Sequence, residues 1–348
     1  MSPMDADQGK NQEPEDSTAR IVENHYRGLK VIVTGGLGFI GSNVAKRLVL
    51  LGAKVIVMDC LRLNSGGNAA NLKGYEDKLA IELIDLRDCN KRLDLFEGVS
   101  AVFNLAGTVS HLDSMNDPIA DMEANVHAQI ALLECCRRYV PQAQVVFAST
   151  RQIYGRPVKF PVDETHPLNP IDVNGINKMA AEAYHLLYHR VYDLRTVSLR
   201  LTNTYGPGMR IMDARQTFLG IWLRRVVENS VFEVWGGRQL RDFAYIEDVV
   251  DAFLVAGWSG SVTGRAFNIG GGPAISLHQL ADLVVQIGES GRYEIREFPA
   301  ERLRIDIGDY FADDRAFRDL TGWAPRTPLE DGLMRTLAYY RSCLEAYV

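Results

Sequence analysis

The sequence has few cysteines, no long apolar run and no excess of basic residues. Its five cysteines form an odd set without a CxxC pair, so neither a disulfide framework nor a zinc ribbon is expected. No run of about 20 apolar residues occurs, which argues against a membrane span. The 38 basic and 44 acidic residues give a formal charge of −6, which provides no attraction to nucleic acid or anionic lipid. We therefore expect a cytoplasmic protein with no nucleic-acid, membrane or metal partner.

The composition is that of a folded protein. Of the 348 residues, 47% are apolar and 24% are charged, enough to bury a substantial core and to exclude global disorder. Residues 1–28 are mostly polar and net acidic, without the apolar segment of a signal peptide. We expect them to form a disordered or loosely ordered tail, with regular structure starting near Leu29.

Short apolar runs alternate with helical segments from residue 29 onward. Such alternation predicts parallel strands joined by right-handed crossovers, with helices on both faces of the sheet. The fold class is therefore α/β, a doubly wound Rossmann sheet with a smaller C-terminal lobe. The runs with strand character are KVIVT, KVIVMD, LAIELID, SAVFNLAG and AQVVFAST.

The alternation ends near residue 205, where glycine, arginine and aromatic residues become frequent. We expect the Rossmann domain to span residues 29–204 and to include a returning segment near 242–272. The smaller lobe then comprises residues 205–241 and 273–348.

Two helical segments, near 114–139 and 175–192, carry apolar stripes. In the second, Met179, Ala183 and Leu187 recur every four residues, the spacing of one helix face. Such a stripe packs on the sheet or, in part, against a second subunit. A homodimer formed through a helix bundle is the assembly that we expect.

A glycine-rich loop follows the first strand. The segment TGGLGFIG places glycines at 35, 38 and 41 between a strand and a helix, which permits a tight turn and close backbone approach to a pyrophosphate. Asp59 ends the next strand, where its carboxylate can accept hydrogen bonds from both ribose hydroxyls. This negative charge favours NAD over NADP, and the lack of Gly-Lys-Ser/Thr excludes a P-loop.

Further motifs extend this pattern along the chain. They are NLAG at 104–107, FASTRQIYG at 147–155, Lys178, RLTNTYGPG at 200–208 and RDFAYIEDV at 241–249. With them, nearly all of residues 29–330 resembles the extended short-chain dehydrogenase/reductase family, the NAD-dependent nucleotide-sugar epimerases and dehydratases. The resemblance implies that Thr150 contacts the reacting sugar hydroxyl and that Lys178 holds the nicotinamide ribose. The implied NAD-binding residues are Gly35, Gly38, Phe39, Ile40, Gly41, Asp59, Asp85, Leu86, Leu105, Ala106, Gly107 and Lys178.

One catalytic position departs from the family pattern. The family places a tyrosine four residues before the lysine, and this chain has Asn174 there. An amide does not ionise and cannot replace a general base, whose loss typically slows a reaction by about 100- to 10,000-fold. His111, in a loop with Ser110 and Asp113, is one candidate base, because its ordinary pKa is near neutrality. Alternatively, Asn174 binds the hydroxyl while Thr150 and a water relay the proton, or oxidation is lost and NAD is structural or regulatory.

The resemblance also implies a site for a nucleotide-diphosphate sugar. Arg241 takes the position of the arginine that contacts the diphosphate, and Arg302 or Arg304 would form a second clamp, since guanidinium binds phosphate oxygens bidentately. Trp235 and Phe218 are candidates for base or sugar contacts or for core packing. The substrate-binding residues that we predict are Ser110, Thr150, Asn174, Asn203, Arg241 and Arg304, and the catalytic set is Thr150, Lys178, Asn174 and His111.

The function expected from these residues is NAD-dependent nucleotide-sugar epimerisation, with transient oxidation at C4. The alternatives are a dehydratase or another NAD-dependent sugar-nucleotide modification, and a noncatalytic protein that binds NAD or a sugar nucleotide. Dehydratases of the family carry an Asp-Glu pair after the Thr150 position. Because this chain has Arg151 and Gln152 there, the sequence favours epimerisation over 4,6-dehydration.

Overall fold

The computed structural model describes residues 24–62, 65–214 and 217–348. Most of the predicted tail, residues 1–23, lies outside the described residues. No helix within the described ranges is long and apolar enough to cross a membrane.

The strands and helices alternate through the first two thirds of the chain. The strands are β1 (Lys30–Thr34), β2 (Lys54–Asp59), β3 (Ala80–Leu83), β4 (Val99–Asn104), β5 (Gln144–Thr150), β6 (Thr196–Leu201), β7 (Asn203–Tyr205), β8 (Val231–Trp235), β9 (Leu240–Arg241), β10 (Phe243–Tyr245), β11 (Ala266–Ile269), β12 (Ile275–Ser276) and β13 (Arg292–Arg296). The α-helices are α1 (Phe39–Leu50), α2 (His111–Asn116), α3 (Pro118–Met122), α4 (Ala128–Tyr139), α5 (Val173–Tyr192), α6 (Phe218–Val227), α7 (Ile246–Trp258), α8 (Leu277–Gly288), α9 (Ala300–Leu303), α10 (Arg315–Thr321) and α11 (Leu329–Cys343). A π-helical turn, Glu123–His127, joins α3 to α4.

A seven-stranded parallel sheet forms the centre of the molecule. Its order is β3-β2-β1-β4-β5-β6-β11, and the predicted doubly wound Rossmann sheet is confirmed. The strand order reverses direction between β1 and β4, and the crevice outside the carboxyl ends of strands at such a point is where α/β sheets bind ligands. The glycine loop, NLAG and Thr150 all follow or end strands at this edge.

Both faces of the sheet are covered, as the apolar runs require. In β1, Val31 and Val33 belong to one buried apolar cluster and Ile32 belongs to another. Successive side chains of a strand point to opposite faces, so each cluster fills the space between the sheet and one layer of helices. Helices α1 and α7 pack against each other on the face of Val31 and Val33.

The C-terminal part of the chain builds a smaller lobe around three short strand pairs. Strand β8 pairs with β13, β9 with β12, and β10 with β7, while α6, α8 and α11 contact one another. Trp222 of α6 stacks on Phe232 of β8 with ring centroids 5.0 Å apart. Between these pairs the chain returns to the main sheet as β11, beside β6.

Helix α5 turns a polar side toward the sheet, unlike the predicted apolar stripe. Ala183 and Leu187 of that stripe are exposed. The buried side includes Glu182, whose Oε1 pairs with Nη2 of Arg200 on β6 at 2.6 Å. The remaining buried residues of α5 are Asn174, Gly175, Asn177, Lys178, Ala181, His185 and Tyr188. Helix α5 therefore brings chemically active groups to the edge of the sheet, and its apolar side chains lie on its outer face.

Candidate functional site

A cavity of about 1020 Å³ opens at the carboxyl ends of the sheet strands and extends toward the smaller lobe. With one exception, the site residues predicted from the sequence line it, from Gly35 on the sheet to Arg241 on the lobe. The exception is Arg304, which is exposed and outside the lining. Arg302 lines the cavity instead, with its guanidinium carbon 4.3 Å from the ring centroid of Trp235.

The glycine loop packs so closely against neighbouring backbone that Gly35 and Gly41 have no room for a side chain. Gly35 has a φ of +63°, and a Cβ there would lie 2.8 Å from the backbone of Ala106. A Cβ on Gly41 would overlap the carbonyl oxygen of Gly35. Gly38 precedes α1 and provides no side-chain cap, so the first amides of α1 are available to an anion. This cradle fits the pyrophosphate of a dinucleotide.

Two carboxylates mark the adenosine end of the cavity. Asp59 accepts hydrogen bonds from the Leu37 and Leu61 amides at 3.0 and 2.8 Å. Each of its oxygens keeps a lone pair for a ribose hydroxyl. Asp85 pairs with Arg87 at 2.8 Å, and this guanidinium holds the pKa of Asp85 below its ordinary value. The residues at this end therefore fit NAD.

Lys178 lies at the reacting end of the cavity. Its buried Nζ donates to the Ala148 carbonyl at 3.2 Å and lies 5.1 Å from the ring centroid of Phe147. Burial lowers the pKa of Lys178 to about 8, an effect that the charge of Asp121 opposes. A Cβ on Gly107 would lie 3.1 Å from this nitrogen, so the glycine permits the close approach.

Asn174, four residues before Lys178, is held by a buried hydrogen-bond network. Its Nδ2 donates to the Thr108 carbonyl at 2.9 Å and to Oδ2 of Asp121 at 3.1 Å. The opposite oxygen of Asp121 accepts from Asn125 at 3.1 Å and from Asn177 at 2.8 Å. Both amide hydrogens of Asn174 are thus used within the protein. Its Oδ1 is the atom left to accept a hydrogen bond from a ligand hydroxyl.

His111 forms a pair with a buried carboxylate. Its Nδ1 lies 2.9 Å from Oδ2 of Asp172, and Asp172 also caps α5 by accepting from the Gly175 amide at 2.6 Å. Nε2 of His111 lies 3.0 Å from Nε2 of Gln152. The approach of Nδ1 to Asp172 is close but lacks hydrogen-bond geometry. In the tautomer with the proton on Nδ1, the Gln152 side-chain amide donates to the lone pair on Nε2, which is then the accepting nitrogen.

Thr150 and Ser110 border the same end of the cavity. Thr150 ends β5, and its Oγ1 accepts a hydrogen bond from the backbone amide of Gln152 at 3.3 Å. Ser110 caps α2 by accepting from the Asp113 amide at 3.1 Å. Both hydroxyls have rotatable hydrogens, so they can adapt to a sugar that enters the cavity.

Arg241 and Asn203 lie on the lobe side. Arg241 donates to the carbonyls of Gly308 and Leu240, and its Nη2 lies 3.5 Å from Asp306. Burial lowers the pKa of Arg241 to about 10. Asn203 donates to the Asp242 carbonyl at 3.0 Å and also lines the cavity.

Sequence reasoning missed two buried carboxylates of the site, Asp121 and Asp172. Asp172 stands just before a predicted helix, and an N-cap pattern there was a usable signal. Asp121 carries no such signal, because its partners Thr108, Asn174 and Asn177 lie 13, 53 and 56 residues away in sequence. Only the packing of α3 against α5 brings them together.

Comparison with known proteins identifies the class of protein that this fold and cavity define. A model of the NAD dependent epimerase/dehydratase family matches residues 31–270, and the chain belongs to that family. Membership confirms the predicted resemblance, the class of enzyme and NAD as its cofactor.

Individual relatives span almost the whole chain. A putative UDP-glucose 4-epimerase of Methanocaldococcus jannaschii is 30% identical, over 90% of this chain and 98% of that protein. The crystal structure of UDP-glucose 4-epimerase from Thermotoga maritima with UDP-glucose has a TM-score of 0.82 at 30% identity, covering 91% and 100% of the two chains. UDP-glucose 4-epimerase from Thermus thermophilus in complex with NAD has a TM-score of 0.79 at 27% identity, covering 90% and 100%.

Proposed function

We propose that this protein is a nucleotide-sugar 4-epimerase that oxidises C4 of the sugar transiently with bound NAD. The observation that carries the proposal is a single cavity. It joins the dinucleotide cradle at Gly35, the reacting groups Thr150 and Lys178, and the phosphate-binding candidate Arg241. A nucleotide-diphosphate sugar with its phosphates at Arg241 would have its sugar beside Thr150.

Bound NAD would supply the hydride acceptor and donor at C4. The protein's own groups hold the reacting hydroxyl between Thr150 Oγ1 and Asn174 Oδ1, the acceptor that the Asp121 network leaves available. The positive charge of Lys178 stabilises the alkoxide as it develops. An epimerase then presents the other face of the ketone, which requires room for the sugar to rotate within the cavity.

We infer that His111 takes the hydroxyl proton in place of the tyrosine. The Asp172 carboxylate lies beside the imidazole, with its Oδ2 2.9 Å from Nδ1. The Gln152 amide holds the accepting nitrogen at 3.0 Å, and a sugar hydroxyl is an equivalent donor that can replace it. Arg151 and Gln152 provide no acid/base pair, which argues against 4,6-dehydration.

The test is turnover of the NAD-loaded protein with UDP-, GDP-, CDP- and dTDP-sugars, followed by reduced-nicotinamide absorbance and product NMR. We expect an epimerised sugar from one nucleotide class. Confirmed sugar-nucleotide binding without any altered sugar would contradict the proposal and favour a noncatalytic binding protein.

A pair of histidine variants tests the base. His111→Ala should reduce turnover by about 100- to 10,000-fold while the Kd for NAD is unchanged. The matched control is His278→Ala, because His278 is exposed on α8 and lies outside the cavity lining. Unchanged turnover in His111→Ala would remove His111 from the mechanism and leave the relay through Thr150 and water.

We also propose a homodimer in which α3, α4 and α5 of two copies form a helix bundle. Large apolar side chains are exposed on and beside these helices, which is costly in water. Light scattering should give twice the chain mass, and Val191→Glu should halve it, whereas Leu320→Glu on α10 should not. A monomeric wild type would overturn the proposal. The exposed side chains are Met115, Ile119, Met122, Tyr139, Ile176, Leu187, Val191 and Tyr192.

We infer a cytoplasmic location from the cysteines. The five thiols are all free, and buried Cys89 and Cys135 remain unbonded with sulfurs 3.1 Å apart. Free thiols persist in reducing compartments. Fractionation of cells that produce the protein tests this location, and recovery with membranes or outside the cell would contradict it.

A further inference from the structure

Arg151 is a cavity residue that the proposed reaction does not use. It follows Thr150 directly and lines the cavity. Its Nε is buried without a hydrogen-bond partner among the described residues. Its contact with the protein is through Tyr310, whose ring centroid lies 5.9 Å from the guanidinium carbon. A buried guanidinium with an unused donor is a costly arrangement unless a ligand completes it.

Other arginines of the cavity have partners of their own. Arg87 pairs with Asp85 and Glu123, Arg225 pairs with Glu228, and Arg241 is held by Gly308 and Asp306. Arg151 forms no ion pair in the described parts of the chain, and its charge adds to that of Arg241. The carboxylates of Asp172, Asp242 and Asp306 act on the charge of Arg151 from beyond ion-pair distance, so its guanidinium keeps hydrogen-bond donors for whatever the cavity binds.

The position of Arg151 indicates which part of the substrate it meets. Consecutive Cα atoms are about 3.8 Å apart. The Cα of Arg151 therefore lies next to that of Thr150, the residue proposed to contact the reacting sugar hydroxyl. The diphosphate is expected farther along the cavity, at Arg241 on β9 and Asn203 on β7. The bidentate partners of a guanidinium are carboxylates and phosphates, and a carboxylate is the one that the sugar ring itself can carry at a distance from the diphosphate.

We propose that the sugar of the substrate is a uronic acid, and that the guanidinium of Arg151 binds its carboxylate. This inference rests on the proposed function, since it assumes a nucleotide sugar in the cavity. Arg151 would then determine specificity, accepting a nucleotide hexuronate in preference to the neutral hexose. A neutral hydroxymethyl group in the same place would leave the guanidinium without its counter-charge.

The test compares affinities, so it does not depend on turnover. Calorimetry on the NAD-loaded protein measures Kd for three probes that contain the same nucleotide. That nucleotide is the one whose sugar derivative binds most tightly among the UDP-, GDP-, CDP- and dTDP-sugars. These are the nucleotide-glucuronic acid, the nucleotide-glucose and the nucleoside diphosphate alone. We expect the glucuronic acid form to bind at least about tenfold more tightly than the glucose form.

Variants identify the residue responsible for this ratio. Arg151→Gln should bring the ratio of the two affinities close to one, and Arg151→Lys should restore it only in part, because an ammonium lacks the planar fork. Arg315→Gln is the matched control, since Arg315 pairs with Asp313 on the surface and its side chain is 79% exposed. This control should keep the wild-type ratio.

Each contrary result has a distinct meaning. Equal or tighter binding of the glucose form by the wild type would overturn the proposal. This result requires only the wild-type protein, so it does not depend on whether Arg151→Gln folds. If Arg151→Gln weakens the nucleoside diphosphate as much as the glucuronic acid form, Arg151 is a phosphate clamp instead. A preserved tenfold preference without turnover would reject the epimerase function and retain the carboxylate site.

Discussion

The two ends of the cavity are built in different ways. At the cofactor end, backbone amides and glycines form the surface. Gly35, Gly38 and Gly41 belong to one short segment of the chain. At the sugar end, side chains from distant segments form it, as where Asp172 meets His111 and Asp121 meets Asn174. The cofactor end depends on local spacing, whereas the sugar end depends on tertiary packing.

Because of this difference, the two ends differ in how they can accommodate a substitution that departs from the family pattern. A dinucleotide approaches the backbone of the glycine loop, and a Cβ on Gly35 or Gly41 would collide with neighbouring backbone and displace that loop. At the sugar end, Asn174 donates to one oxygen of Asp121, and the amides of Asn125 and Asn177 donate to the other oxygen of that carboxylate. The network shows a site organised around the amide, and this organisation argues against general decay of the site.

The largest effect is expected from Gly41→Ala at the cofactor end. The new Cβ would overlap the Gly35 carbonyl, so the loop must shift away from the pyrophosphate. NAD affinity measured by calorimetry should fall by at least about 100-fold, or about 2.7 kcal/mol. Gly260→Ala, where a Cβ meets nothing within 4 Å, should bind NAD like the wild type. Retained affinity in Gly41→Ala would show that the cradle adapts.

The next effect tests whether the sugar end has been reshaped around the amide. Asn174→Tyr removes the hydrogen bonds to the Thr108 carbonyl and Asp121 and adds a ring to a buried position. We expect kcat/KM for epimerisation to fall by at least about tenfold, because misplaced reacting groups lose orientation. Arg190→Tyr, at an exposed position of α5, controls for the added ring. Faster turnover in Asn174→Tyr would mean that the usual tyrosine geometry survives.

A smaller effect is expected from Asp121→Asn, which keeps the shape of the side chain and removes its charge. Thr108, Asn125, Asn174 and Asn177 all donate to this carboxylate, and an amide cannot accept all of these bonds through one oxygen. The free energy of unfolding should drop by about 1–3 kcal/mol, measured by urea titration. The exposed Asp77→Asn serves as control. A drop no larger than that of the control would mean that the network contributes nothing to stability.

The smallest effect concerns Lys178 and pH. Burial lowers its pKa from 10.5 to about 8 in the folded protein, so between these values the unfolded chain binds more protons. The free energy of unfolding should therefore rise with pH in this window, by at most about 1.4 kcal/mol per pH unit. Lys178→Met should show a flatter profile between pH 8 and 10. Parallel profiles would place the pKa of Lys178 near its ordinary value.

Local patterns allowed the fold to be predicted. The five apolar runs form β1 to β5 of the parallel sheet, because continuous apolar runs of this length are typical of strands in a sheet that is covered on both faces. The helix stripe was less informative. Leu187 is exposed although it fits the apolar periodicity, while Glu182 and His185 are buried. Buried polar groups depend on partners from other segments, and periodicity carries no information about those partners.

The sequence by itself determined the doubly wound sheet, the glycine cradle with Asp59, and the absence of a tyrosine before Lys178. These features depend on residues that are neighbours in the chain, so their spacing is enough. Only the tertiary structure decided that Asp172 lies beside His111, that Asp121 holds Asn174, and that Nε of Arg151 has no hydrogen-bond partner among the described residues. Hydrogen bonds and ion pairs act over a few ångströms. Which side chains come that close is determined by how the strands and helices pack.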